Sequence, residues 1–166
     1  MKRKPFAERP YRRGVGIMLF NAEGKVFVGR RRDAPGNAWQ MPQGGIDRGE
    51  KARRAALREL AEETGTDKAE VIAKSKRWLK YDLPREIADR VWRGTYRGQK
   101  QRWFALRFRG RDDDIDLVAH RHPEFEDWRW ESIDALADLA IPFKRRLYEK
   151  LVDEFRHLAG KKRKKR

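Results

Sequence analysis

The sequence predicts an α/β domain in which strands and helices form layers. Short apolar segments typical of strands occur before, between and after stretches with helical spacing, which is the pattern of a layered α/β domain. The chain has 166 residues, enough for one domain with a substantial core. No internal repeat is evident, so we predict one domain over residues 1–159 and a basic tail at 160–166.

The first predicted elements are two strands joined as a hairpin. Val15–Phe20 and Val26–Arg30 are apolar runs, and the connection Asn21-Ala22-Glu23-Gly24 between them ends in a glycine. Glycine adopts the positive φ that such turns require. Residues 39–42 then form a third, short strand, and the chain continues into a pair of glycines.

A helix is predicted over residues 51–63, which are rich in alanine, leucine, arginine and glutamate. All four are good helix formers. Asp47 is placed to cap the start of the helix, and Glu50 three residues later would complete a capping-box-like pair. Gly65 provides a left-handed end.

Three glutamates share one face of this helix. At 100° per residue, Glu59, Glu62 and Glu63 lie within an arc of about 100°. Carboxylates gathered in this way repel one another unless a cation lies among them. Oxygen ligands alone suit a hard cation such as Mg²⁺, which keeps several waters and shares substrate phosphates. The alternative is an ordinary solvated helix face on which Arg58 pairs with Glu62.

The second half of the chain adds strands and two more helices by the same criteria. Strands are predicted over Val71–Tyr81, Gln101–Phe108 and Phe125–Glu131, and helices over Ile133–Leu139 and Phe143–Leu158. Within the second of these strands, alternation places Trp103 and Ala105 on one side and Phe104, Leu106 and Phe108 on the other. Residues 83–98 contain a proline and two glycines, and we predict an irregular segment there.

Composition limits the class of protein. Lys and Arg number 42 against 26 Asp and Glu, and the formal net charge is +16. Much of the excess lies at the two ends, and the run Lys161 to Arg166 is expected to be disordered by self-repulsion. That run is compatible with a solubility role and with attraction to polyanions such as RNA. The chain has no cysteine and no apolar run of membrane-span length, so we expect a cytoplasmic protein without membrane association.

The stretch from Gly44 to Thr66 carries a spaced motif, GGIDRGEKARRAALRELAEETGT. It resembles the Nudix box, Gly-x5-Glu-x7-Arg-Glu-U-x-Glu-Glu-x-Gly-U, in which U is apolar. Every fixed position is filled, and the one departure is Thr66, where the family usually has an aliphatic residue. The resemblance implies an α/β/α sandwich with a mixed sheet, in which the catalytic motif forms a loop–helix–loop.

Segments outside the motif are most similar to bacterial RNA 5′-pyrophosphohydrolases, a group that overlaps the diadenosine tetraphosphate hydrolases. They are Tyr11-Arg12, WQMPQGGI at 39–46, WLKY at 78–81, GQKQRWF at 98–104, PEF at 123–125 and FKR at 143–145. The resemblance implies divalent-metal-assisted hydrolysis of a phosphoanhydride, with Mg²⁺ or Mn²⁺ as the cofactor. An RNA 5′-triphosphate would become a monophosphate, which promotes mRNA decay, and the enzyme would be a monomer.

The resemblance also assigns roles to individual residues. The expected metal ligands are Glu59, Glu62, Glu63, Glu124 and Gly44. The same four glutamates are expected to act in catalysis, with Arg58 orienting the cluster, and the identity of the general base stays open. Glu50 is a cap, a more distant support of the metal ligands or a support for Arg58. The expected substrate-binding residues are Arg12, Arg31, Gln43, Gln99, Ile141, Phe143 and Lys144.

Two other functions are consistent with the sequence. The same chemistry could act on diadenosine tetraphosphate or another dinucleoside polyphosphate, because both substrates are polyanions. A non-catalytic RNA-binding protein could keep the same scaffold. The intact glutamate cluster argues against this last possibility, since concentrated negative charge hinders the binding of phosphates.

Overall fold

The computed structural model describes residues 3–33 and 36–160, so the predicted run of basic residues at 161–166 lies outside the described part. These described residues form eight strands: β1 Tyr11–Phe20, β2 Val26–Arg31, β3 Trp39–Gln40, β4 Gln43–Gly45, β5 Ala69–Lys74, β6 Leu79–Asp82, β7 Gly98–Phe108 and β8 Phe125–Glu131. The α-helices are α1 Ala52–Thr64, α2 Arg85–Ala88, α3 Leu136–Leu139 and α4 Arg145–Phe155. In this part of the chain, no helix has the length and apolar character needed to cross a bilayer.

The strands form one mixed sheet in the order β3-β2-β1-β7-β5. Strand β4 pairs with β1, β6 with β7 and β8 with β2. The long pairing of β1 with β7 is parallel and runs from Tyr11 opposite Gly98 to Phe20 opposite Arg107, whereas the other pairings are antiparallel. Strand β1 is buried from Gly14 onward, as expected for a central strand covered on both faces.

Helices cover both faces of the sheet. Met18, Phe20, Trp103 and Ala105 pack on one face with apolar residues of α3 and α4. On the other face, a cluster containing Val15, Ile17 and Phe104 packs against alanines and Leu60 of α1. This arrangement confirms the α/β/α sandwich, and the two sides predicted for β7 are those observed.

The single strand predicted over residues 71–81 is wrong, because the structure divides it into β5 and β6. Ser75 lies at the break and is buried. Its hydroxyl donates to the carbonyl of Arg77 at 2.8 Å and accepts from the N–H of Trp103 at 3.1 Å. Both new strands still pair with β7, one after the other along its length. The break satisfies polar groups that only the folded sheet brings together.

The start of α1 also differs from the prediction. The helix begins at Ala52, with Lys51 at the cap position and no side-chain hydrogen bond to the first turn. Asp47 therefore does not cap it; instead, the N–H of Asp47 donates to the Glu50 carboxylate at 2.9 Å. The predicted left-handed end is confirmed, since Gly65 has φ of 75°. The acidic pair thus shapes the loop before the helix.

Candidate active site

Arg58 connects α1 to the loop that precedes it. Its Nε and Nη2 donate to the two oxygens of Glu50, both at 2.9 Å, and Nη2 also donates to the carbonyl of Gly45 at 2.9 Å. Its Nη1 lies 2.9 Å from Glu59 and 3.2 Å from Glu62. Forked contacts of this kind fix the orientation of each partner. Arg58 therefore sets the positions of two neighbouring carboxylates.

Glu50 supports Arg58, which decides among the three roles left open by the sequence. Hydrogen bonding to Arg58 lowers the pKa of Glu50 to about 2, and the N–H of Asp47 contributes in the same direction. The pKa of Arg58 is raised in turn, first by its hydrogen bond to Glu50. The pair stays ionised across the physiological pH range.

Replacement of Arg58 by lysine is expected to lower turnover by about tenfold to a hundredfold, the usual loss when a residue that orients metal ligands is changed. Lysine keeps the charge but lacks the fork that reaches Glu50, Gly45 and Glu59 together. Steady-state kinetics with Arg54→Lys on the same helix as the control would measure this. Full activity in the Arg58 variant would show that the fork orients nothing needed for catalysis.

Glu59 lies against the backbone of the glycine pair that begins the motif. A Cβ atom on Gly44 would stand 1.9 Å from the Glu59 carboxyl carbon, so only glycine permits this approach. The Glu59 side chain is 13% exposed. The requirement for glycine in the motif is thus steric, because Gly44 lies directly against the Glu59 carboxylate.

Glu63, one turn further along α1, is 4% exposed. One of its oxygens accepts the backbone N–H of Gln43 at 2.8 Å. Helix α1 packs on the sheet through buried Leu60 and Ala56. This packing places Glu63 beside Gln43, the first residue of β4. Burial of a carboxylate costs free energy unless a charge or hydrogen bonds compensate. In Glu63 one backbone hydrogen bond compensates part of this cost.

Burial and neighbouring carboxylates raise the pKa values of Glu59 and Glu63. Burial, followed by repulsion from Glu62, raises the pKa of Glu59 to about 7. The pKa of Glu63 is raised well above its usual range by burial first and then by Glu59 and Glu124. Glu124, immediately before β8, also raises the pKa of Glu59 through its negative charge. Its carboxylate also lies 3.8 Å from Nη2 of Arg31.

The donor chemistry of this cluster fits a hard divalent cation. As the side chains stand, no three Asp, Glu, His or Cys groups within the described ranges are arranged to hold a metal ion. Glu59 and Glu62 are instead turned to Arg58. Burial and repulsion between the carboxylates raise the pKa of Glu59 and Glu63 even with Arg58 in contact with Glu59. A cation bound by oxygen ligands would offset this repulsion.

Glutamine at position 59 is expected to stabilise the metal-free protein above pH 7. Folding raises the pKa of Glu59 to about 7. The free energy of unfolding therefore falls as the pH rises from the pKa of the unfolded state through 7, because the folded protein must then bury an ionised carboxylate. In chelator at pH 8 the variant should melt a few degrees higher than the wild type, at roughly 2–4 °C per kcal/mol. The difference should be much smaller at pH 5, close to the unfolded pKa, and vanish below it.

Thermal unfolding at both pH values, with Glu149→Gln as the exposed control, measures this. Added Mg²⁺ should stabilise the wild type at pH 8 more than the variant, because binding to the folded state shifts unfolding by mass action. Equal melting temperatures at pH 8 in chelator would contradict the account of Glu59.

A pocket of about 420 Å³ adjoins the carboxylate cluster. It is lined by all but one of the predicted substrate-binding residues: Arg31, Gln43, Gln99, Ile141, Phe143 and Lys144. Gln43 belongs to both regions, since its side chain lines the pocket while its N–H binds Glu63. The structure thus places basic and aromatic side chains next to the acidic cluster. Their contact with substrate stays a prediction.

Lys144 forms a buried positive charge in this pocket. It is 5% exposed, and burial, followed by repulsion from Arg31, lowers its pKa to about 8. Its Nζ lies 5.6 Å from the ring centre of Tyr81. Phe143 stacks on the same ring, with centroids 6.0 Å apart. Phe143 also packs on the core, so this predicted substrate-binding residue contacts both the core and the pocket.

Arg12 is the predicted substrate-binding residue that does not line the pocket. Its guanidinium lies against Gly45, where an added Cβ would stand 2.3 Å from Nη2. It also stands over the ring of Trp92, 4.8 Å from the centroid. Trp92 lines the pocket, so Arg12 lies at its edge.

Sequence reasoning missed Trp92 and Tyr81 as pocket residues. Trp92 has φ of 47° and is followed by Arg93 and Gly94, both also with positive φ. Non-glycine residues rarely adopt this conformation, and such strain persists only where the surrounding structure imposes it. The signal available in the sequence was the aromatic-rich irregular segment itself. That Trp92 of this segment lines the pocket depends on tertiary contacts.

Comparison with known proteins agrees with the geometry. Residues 10–151 match the family model described as NUDIX domain. The chain belongs to the Nudix family. Relatives named RNA pyrophosphohydrolase occur in Wolbachia pipientis subsp. Culex pipiens, 53% identical over 89% of this chain and 91% of the relative, and in Rhodospirillum rubrum, 56% identical over 91% and 88%. The Nudix resemblance of the motif is therefore confirmed.

The fold comparison gives the same result for this Nudix chain. The solved E. coli dihydroneopterin triphosphate pyrophosphohydrolase superposes with a TM-score of 0.64 at 23% identity, covering 88% of this chain and 99% of that one. At this identity the likeness supports the fold alone. The Nudix α/β/α arrangement is thus supported independently of the motif.

Proposed function

We propose that this Nudix hydrolase is an RNA pyrophosphohydrolase, which converts 5′-triphosphorylated RNA ends to 5′-monophosphates. The observation that carries the proposal is the junction at Gln43, where an acidic cluster meets a basic, aromatic pocket. Relatives more than half identical over most of their length carry the same name. An RNA end offers the two features that such a site binds, a polyphosphate and an unpaired base.

Each part of the site has a proposed task. Arg31 and Lys144 bind the phosphates, and Arg12 extends this charge at the edge of the pocket. Phe143 and Ile141 contact the first base, with Tyr81 and Trp92 completing the aromatic wall. Gln43 and Gln99 donate or accept hydrogen bonds between these two regions. This division of tasks orients the triphosphate toward the carboxylates.

The carboxylates carry the hydrolysis. Glu59, Glu62, Glu63 and Glu124 would hold a divalent cation, Mg²⁺ or Mn²⁺, which when bound neutralises phosphate charge and activates water. Water adds to a phosphorus atom of the anhydride, the bridging P–O bond breaks, and pyrophosphate leaves the RNA monophosphate. One of these glutamates accepts the proton of the water. Arg58 keeps the cluster in place.

The remaining parts of the proposal concern organisation. One Nudix domain covers residues 1–159, the basic residues that follow add attraction to RNA, and the enzyme acts as a monomer. We further propose action in the cytoplasm, where removal of pyrophosphate would expose mRNA to decay.

The alternative substrate, a dinucleoside polyphosphate, is tested by direct comparison. The specificity constant is measured for triphosphorylated RNA and for diadenosine tetraphosphate at one salt concentration, because salt changes RNA affinity strongly. A larger value for RNA supports the proposal. A much larger value for the dinucleotide would contradict it, and RNA binding without any hydrolysis would favour the non-catalytic alternative.

A further inference from the structure

A second pocket, of about 390 Å³, lies on the α1 side of the sheet. Its walls are the first turn of α1, strand β5, and the side chains of Trp78, Arg102 and Phe104. It shares no lining residue with the pocket that contains Lys144. Its volume falls in the range of small-ligand sites. The tasks proposed above do not use it.

The charge around this pocket is positive. Arg53, Lys74 and Arg102 line it, and no carboxylate does. Arg13 stands over the ring of Trp78 with its guanidinium carbon 5.0 Å from the centroid. None of these four cations makes an ion pair with any residue in the ranges 3–33 and 36–160. In contrast, Arg31, Arg58 and Arg97 are each paired with carboxylates.

Hydrogen-bond donors around the pocket also lack partners. Nε of Arg102 is buried and has no acceptor among the described residues, an arrangement that destabilises the fold unless a ligand supplies the acceptor. The first turn of α1 has no side-chain cap and no acidic residue. Ala52 and Arg53 of that turn line the pocket. Uncapped helix N-termini attract anions, particularly phosphates.

We propose that this pocket binds a nucleotide of the single-stranded RNA that follows the 5′ end. The base stacks on the face of Trp78 that Arg13 does not cover, and its phosphate is bound by Arg102, Lys74 and the N-terminus of α1. Stacking aromatics combined with basic side chains are the usual means of holding single strands. The inference rests on the proposed function, since it assigns the downstream part of the same substrate.

The distance along α1 fits this order. Ala52 lies seven positions before Glu59, about 10 Å along the helix axis at 1.5 Å per residue. The first base is assigned to the pocket that contains Lys144, so only nucleotides further along the strand are available to the second pocket. A dinucleotide cannot reach the second pocket, whereas a twelve-nucleotide RNA can.

The experiment compares two substrate lengths. Specificity constants are measured for a triphosphorylated dinucleotide and a triphosphorylated, unstructured twelve-nucleotide RNA, with the variants Arg102→Gln and Arg53→Gln/Lys74→Gln. The long RNA should lose about tenfold with each variant, and its log–log salt slope should fall by about 0.7 per phosphate contact removed. The dinucleotide should be unaffected. Arg146→Gln/Lys150→Gln, on the exposed side of α4, is the matched control.

Equal losses for both lengths, or no loss for the long RNA, would overturn the proposal. A parallel binding measurement uses the twelve-nucleotide RNA with a 5′-hydroxyl, so it does not depend on hydrolysis. Weaker binding in the pocket variants supports the subsite even if RNA ends are not the reactive substrate. The same assay measures whether free AMP displaces the RNA and how tightly AMP binds each variant. If AMP displaces the RNA and the variants weaken AMP binding as much as RNA binding, the pocket is a free-nucleotide site and the proposal is wrong.

Discussion

Replacement of Glu63 by glutamine is expected to lower the turnover of triphosphorylated RNA by about 10²- to 10⁴-fold, the range seen when a carboxylate is lost from the chemistry of an active site. Glutamine keeps the shape of the side chain and its acceptor for the N–H of Gln43. It removes only the negative charge. RNA affinity should change little, because the proposed phosphate contacts lie in the basic pocket.

Stability distinguishes this loss from misfolding. Glu63 is buried with a raised pKa, so the neutral amide removes a charge whose burial destabilises the fold at neutral pH. The variant should therefore melt no lower than the wild type in chelator at pH 8. Glu149→Gln, exposed on α4, is the control for charge. Unchanged turnover in the Glu63 variant would remove this residue from the site.

Replacement of Lys144 by methionine is expected to lower the specificity constant for RNA by about tenfold to a hundredfold while raising stability. A hydrogen bond to a charged group contributes about 1.5–3 kcal/mol, and Lys144 lines the pocket as a buried cation. Methionine fills similar space without charge. The loss should be smaller for substrates with fewer phosphates, since the proposed partner of Lys144 is a phosphate.

The gain in stability follows from the pKa of Lys144, which folding lowers to about 8. Below pH 8 the folded protein carries a desolvated cation, and the difference from the unfolded value corresponds to about 3 kcal/mol. This cost falls as the pH rises from 8 toward the unfolded pKa. Urea unfolding at pH 7 should thus show a more stable variant, with Lys150→Met on the exposed side of α4 as the control. Unaltered kinetics, or a less stable variant, would show that Lys144 is a packing residue.

The sequence predicted the parts of the site that depend on local spacing. Glu59 and Glu63 lie on one helix, and the left-handed end at Gly65 follows from glycine alone. Gly44 was predicted at the site, but the reason for glycine there, the approach of the Glu59 carboxylate, came from the structure. That contact joins a helix to a strand in three dimensions.

Features that depend on distant contacts could not be predicted in this way. The break at Ser75 is stabilised by Trp103, which is 28 residues further along the chain. Trp92 points to the pocket because its backbone adopts a left-handed conformation that propensity disfavours. Glu50 has the spacing of a capping residue, and its carboxylate accepts the N–H of Asp47 but also binds Arg58. In each case a tertiary partner adds to or overrides what local spacing predicts.

The most direct test uses triphosphorylated RNA that carries one label on the α-phosphate and another on the γ-phosphate of its 5′ end, and it follows both labels. The account predicts that the wild-type chain with Mg²⁺ releases the terminal label as pyrophosphate or stepwise as phosphate, and leaves a labelled 5′-monophosphate on intact RNA. Chelator should abolish this release, and the Glu63→Gln variant should slow it by about 10²- to 10⁴-fold. Intact triphosphate after incubation with the wild type and Mg²⁺ would contradict the account, as would equal release by the variant.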